Sequence, residues 1–155
     1  MVAKKTGIAV GTLYNYHQNK KKLYISIFKN SWEETFKKID KTIQEKSNKD
    51  KLESLINILY TDISKRRGFA QELIKSNELK ELGMKFVEDL KNELKDKIAE
   101  AINDYERYKK ADISKSKKAR LVQLVFTEII ALNSEFSDEK EINIGFIMEL
   151  VNSTL

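Results

Sequence analysis

Residues 79–105, LKELGMKFVEDLKNELKDKIAEAINDY, decide the fold class. Leu79, Leu82, Phe86, Leu90, Leu94, Ile98, Ile102 and Tyr105 recur every three or four residues, the spacing of one helical face. Gly83 either kinks this helix or marks its start. The same period extends in both directions, because the 155-residue chain has no proline and only five glycines to force a stop. Upstream, a helix is expected from Asn19 to about Lys46, with Leu23, Ile27, Phe28, Trp32, Phe36, Ile39 and Ile43 on one side. Asp50 and Glu53 have capping-box spacing ahead of Leu52, Leu55, Ile56, Leu59, Tyr60 and Ile63. That second helix is expected to end near Gly68, followed by a short helix carrying Phe69, Leu73 and Ile74 and a polar break at Ser76–Asn77. The polar stretch Tyr108–Ser116 reads as a flexible loop. The chain is therefore all-α.

Two C-terminal helices, over 119–136 and 139–154, carry apolar residues around more of their circumference than one core contact needs. Such faces call for a partner, and a homodimer in which both helices pair with their copies as a four-helix bundle buries them most simply. Leu121, Val125, Ile129, Phe146, Ile147 and Leu150 are the residues expected at that interface.

Composition removes several function classes. The chain has no cysteine and one histidine, His17, so disulfides, thiolate metal sites, thiol nucleophiles and paired imidazoles are all lacking. No phosphate-cradling glycine loop is present, and the acids fall on solvated helix faces; an enzyme is not expected, nor any metal or cofactor. Neither a signal peptide nor a membrane span is legible, since the longest apolar stretch, Leu121–Leu132, is broken by Gln123, Thr127 and Glu128; a cytoplasmic protein is expected. Charge is unevenly spread. Of the net +5, residues before Glu33 hold +6 through Lys4, Lys5, Lys20, Lys21, Lys22 and Lys29, and the remainder holds −1. A basic end on a near-neutral body suits a polyanion at that end.

That end also contains a motif. In Val2–Tyr16, VAKKTGIAVGTLYNY, Gly7 supplies a tight turn and Ile8 and Leu13 anchor a short second helix, the pattern of a helix-turn-helix. A helix entering a major groove needs small residues for close approach and polar groups for phosphates and base edges; Val10, Gly11, Thr12, Tyr14 and Asn15 meet that need. Three lysines in a first helical turn, Lys20, Lys21 and Lys22, oppose the helix dipole, and a DNA phosphate at that terminus would compensate them.

Ala3-Lys4-Lys5-Thr6-Gly7, Gly11-Thr12-Leu13-Tyr14-Asn15-Tyr16, Asn19-Lys20 and Leu23 closely resemble the second to fourth helices of TetR-family transcriptional repressors. The specific likeness covers about residues 1–28; beyond it, only helix order and length agree. The resemblance implies a homodimer that binds a palindromic double-stranded operator and is released by a small-molecule effector held in the C-terminal domain. It adds Tyr16 to the DNA-binding set and puts a phosphate contact at Lys20. It divides the chain into a partial helix-turn-helix domain, 1–28, and an effector-binding and dimerisation domain, 29–155. Departures exist: His17 stands where the family usually has an aromatic, and Val10 where a polar or basic residue is common, which suits a thymine methyl. Family members have a further helix of about twenty residues ahead of the second, an ordinary helix length. The chain is expected to begin inside the second helix, and the alternative function is a dimeric effector-binding protein that no longer binds operator. Tyr60, Phe69, Met84, Phe86, Tyr105 and Phe126 are the candidates for lining an effector cavity.

Overall fold

The computed structural model describes residues 20–75 and 80–155, with the side chains of residue 23 and of residues 25–67 and 84–155. Five helices account for it: α1 Lys20–Glu45, α2 Lys51–Lys75, α3 Lys80–Lys109, α4 Lys115–Glu135 and α5 Lys140–Thr154. No strand occurs among the described residues, so the chain is all-α. No helix among them is long and apolar enough to cross a membrane.

Helix α2 packs against each of the other four. Its sequence explains why: Leu52, Leu55, Ile56, Leu59 and Tyr60 are all at most 1% exposed, a stripe wide enough to meet neighbours on several sides. Phe28, Trp32 and Ile39 of α1, Leu94, Ile98 and Ile102 of α3, Leu121, Val125 and Ile129 of α4 and Ile147 and Val151 of α5 complete the core. The helix expected to stop near Gly68 instead continues to Lys75, and the short helix expected around Phe69, Leu73 and Ile74 is its last part. One glycine inside a helix costs about 1 kcal/mol relative to alanine, too little to end a helix packed on four others. The expected break at Ser76–Asn77 lies outside the described residues. Gly83 is inside α3, which starts at Lys80.

The loop expected over Tyr108–Ser116 is shorter and well tethered. Lys110 adopts φ 53° just after α3. Its N–H meets the Arg107 carbonyl at 3.2 Å and the Ala111 N–H meets the Glu106 carbonyl at 3.1 Å, a Schellman closure that satisfies the last carbonyls of α3. The Glu106 carboxylate then accepts the Ile113 N–H at 3.0 Å and the Lys118 ammonium at 2.5 Å. Ser114 caps α4 through the Lys117 N–H at 3.2 Å, so the helix begins a turn before Ala119. Glu106 is held below the ordinary glutamate range by the Ile113 N–H first and the Lys118 contact second.

The interface residues read from sequence need correction. Leu121, Val125, Ile129 and Ile147 are at most 2% exposed within the chain itself, because α4 packs on α2 and α3 and α5 packs on α2 and α4. Phe146 is exposed and Leu150 half-buried. The apolar side chains that α4 and α5 leave in solvent are Leu124, Ile130, Ile142 and Phe146, with Phe136 at the turn between them. The expected division after residue 28 falls within α1, whose Phe28 belongs to the core.

Candidate functional site

Helix α1 is continuous from Lys20 to Glu45 and presents two flanks. Ser31, Thr35 and Lys38 follow one another at helical spacing toward α2, where they meet Asp62 and Arg66. Asp62 is buried and accepts the Thr35 hydroxyl at 2.7 Å and the Lys38 ammonium at 3.0 Å. Burial pushes its carboxyl up; the hydrogen bonds from Thr35 and Lys38 and the charges of Lys38 and Arg66 outweigh that and leave it below the ordinary aspartate range. Arg66 donates to the Ser31 hydroxyl, the Thr35 hydroxyl and the Asp62 carbonyl, each at 2.8 Å, and to the Ser31 carbonyl. With its donors so engaged, the guanidinium lies over the Trp32 ring, 4.7 Å from its centroid.

The opposite flank, toward α3, is open. A groove of about 520 Å³ runs between the two helices, within the size range of small-molecule sites. Its floor is Trp32 and Phe36 from α1 with Phe86 and Leu90 from α3. Phe86 stands edge-on to Phe28 at 5.7 Å, and Trp32 lies 6.3 Å from Phe36, so the floor is a linked aromatic layer. The rim is charged. Lys29, Glu33, Lys37 and Asp40 line the α1 side, and Asp89 and Glu93 line the α3 side. Asp40 accepts the Lys97 ammonium at 2.6 Å, a hydrogen bond that raises the lysine's pKa. Glu33, Asp89 and Glu93 make no ion pair among the described residues. Trp32 is 5% exposed and its indole N–H has no hydrogen-bond partner. An unpaired buried donor costs about 1–3 kcal/mol, so this N–H is a place where an acceptor would be welcome.

Of the six residues expected to line an effector cavity, Phe86 lines this groove. Tyr60 is instead part of a buried polar knot. Its hydroxyl sits 3.2 Å from the Leu132 and Phe136 carbonyls and accepts Asn143 Nδ2 at 2.7 Å, while Asn133 Nδ2 reaches the Tyr60 carbonyl at 2.8 Å. The knot fastens α2 to the α4–α5 turn. Tyr105 is buried and hydrogen-bonds to Asn152 at 2.9 Å, and Phe126 is buried beneath the Lys95 ammonium. Met84 is 64% exposed and lines no described cavity. Phe69 and the DNA-binding set, Val10, Gly11, Thr12, Tyr14, Asn15, Tyr16, Lys20, Lys21 and Lys22, lie outside the described side chains.

Reading the sequence for apolar periodicity missed Trp32 and Phe36 as liners, because a core stripe and a groove floor share one helical spacing. The missing signal was the charge pattern beside them: Glu33 and Asp40 flank Phe36 on α1, and Asp89 and Glu93 flank Leu90 on α3. Among the described residues no group of three or more His, Asp or Glu side chains is arranged to hold a metal ion. No family model matches the chain, and no curated protein matches it in sequence.

Proposed function

We propose that this chain is a TetR-like DNA-binding transcriptional regulator, a homodimeric repressor released from a palindromic operator when a small molecule enters the groove between α1 and α3. The observation that carries the reading is the string Gly11-Thr12-Leu13-Tyr14-Asn15-Tyr16 followed at once by Lys20, Lys21 and Lys22, the first residues of α1. A small-residue, hydroxyl- and amide-bearing segment followed by a lysine triplet suits base edges and phosphates in turn. The groove supports the second half of the reading, because α1 both continues from that segment and supplies the groove's Trp32 and Phe36. An effector pressing on α1 acts on the helix whose first residues are Lys20, Lys21 and Lys22. The solvent-facing Leu124, Ile130, Ile142 and Phe146 support the dimer, since two copies bring the basic segments to two half-sites.

Fluorescence anisotropy against the promoter DNA of the chain's own gene tests the regulator. Selective binding is expected, and Lys20→Ala should weaken all duplexes alike while lowering the log–log salt slope by about one. Binding that ignores sequence and keeps its salt slope after replacement of all three lysines would overturn the reading. Sedimentation equilibrium tests the dimer. Phe146→Glu should yield monomers, whereas the parent chain running as a monomer at micromolar concentration removes the proposed interface.

A further inference from the structure

We propose that the groove between α1 and α3 selects an aromatic organic cation: a flat ring system with a permanent or protonated nitrogen. Binding itself stands on the groove's chemistry alone, and the role of that ligand as effector rests on the regulator reading above. Two observations converge on the class. The floor is aromatic, with the half-buried Phe36 and Phe86 beside the buried Trp32, which favours flat ligands and favours cations over anions through the ring quadrupole. The rim is short of positive charge. Four acids line it against two lysines, Lys29 and Lys37; Lys97 of α3 holds Asp40 and its charge also reaches Glu93, which leaves Glu33 and Asp89 the least compensated.

Lys29 and Lys37 do not reverse the choice. Both are exposed and make no ion pair among the described residues, and their long stems can keep the ammonium in water while the apolar part lies along the groove. The prediction is therefore one of sign as well as strength. Removing an acid should weaken cation binding, and removing a lysine should strengthen it.

The test uses three probes with one ring: 6-methoxy-N-methylquinolinium, neutral 6-methoxyquinoline at pH 8, and 6-methoxyquinoline-4-carboxylate. Calorimetry on the protein free of DNA should rank them cation, neutral, anion. Trp32 is the only tryptophan, so one indole N–H resonance in a ¹⁵N spectrum reports occupancy of the groove. That resonance should move saturably with the quinolinium. Two carboxylate contacts at about 0.2–1 kcal/mol each correspond to roughly a twofold to thirtyfold effect. Asp89→Asn with Glu93→Gln should lose that factor for the quinolinium and leave the neutral ring unchanged, and Lys37→Gln should tighten the quinolinium. Equal or tighter binding of the carboxylate probe, charge discrimination that survives the double variant, or an indole resonance that stays put at millimolar quinolinium would each overturn the proposal. Because no DNA is present, failure here leaves the operator-binding result standing, and failure of operator binding leaves this one standing.

Discussion

The two flanks of α1 make opposite use of charge. Toward α2, Ser31, Thr35 and Lys38 close on the buried Asp62 and on Arg66, each hydrogen-bonded to another member of the group. Toward α3, the same helix leaves Glu33 unpaired beside Phe36, and α3 answers with Asp89 and Glu93. Trp32 stands between the two, with Arg66 over its ring and the groove along its border. A flank whose charges pair internally fixes how two helices sit. The α1–α3 flank pairs Asp40 with Lys97 and leaves Glu33 and Asp89 without an ion pair among the described residues, and that contrast singles out the groove without any appeal to its size.

The most damaging way to break the contrast is to unlock the closed flank. Asp62→Ala takes the carboxylate acceptor from the buried Thr35 hydroxyl and from Lys38 and removes the counter-charge beside Arg66, and should cost about 3 kcal/mol in urea unfolding. A loss below 1 kcal/mol would mean the network is ornamental. Tyr60→Phe removes the hydroxyl that meets Asn143 and two carbonyls, so a loss of about 1–3 kcal/mol is expected.

Acid provides a graded version of the first experiment. Asp62 and Glu106 both sit below their ordinary values of 3.8 and 4.5 in the folded chain, so the stability they contribute is present above those values and lost as pH falls below them. Thermal melting should be insensitive to these groups near neutrality and decline on acidification, with a shallower decline in Asp62→Asn. On the open flank the effects should be small. Trp32→Phe trades ring contacts against relief of an unpaired N–H and should change stability by less than about 1 kcal/mol. Glu33→Gln should stay within about 0.5 kcal/mol, as expected for an exposed side chain with no partner. A large destabilisation from Glu33→Gln would show that the groove's acids hold the fold together, and the contrast between flanks would fail.

Helical order was legible from the sequence because proline is absent and leucine and isoleucine keep a strict period, so the spans of α1, α4 and α5 were readable to within a few residues. Gly68 misled because its local penalty is visible in sequence and the packing that outweighs it is not. The aromatic candidates fared worse: Tyr60, Tyr105 and Phe126 share the period of Phe86, yet burial by a third helix distinguishes them, and that depends on tertiary arrangement. Broad apolar faces on α4 and α5 could not reveal which side α2 would claim, so four of the six expected interface residues turned inward. Asp62 was discoverable. It lies in step with Leu55 and Leu59 and is followed four residues later by Arg66, the pattern of a charge pair placed on a buried stripe.

The position of α2 also sets how the molecule opens. Any peripheral helix can detach while the remaining three still rest on α2, but α2 cannot leave without dissolving every helix–helix interface it makes. Amide hydrogen exchange should therefore be slowest around residues 52–62, where opening requires global unfolding. Along the α1–α3 border, where the helices touch lightly, exchange should proceed through smaller excursions. A molecule built this way can let one helix shift on a fast timescale while its centre keeps a single, slowly exchanging identity.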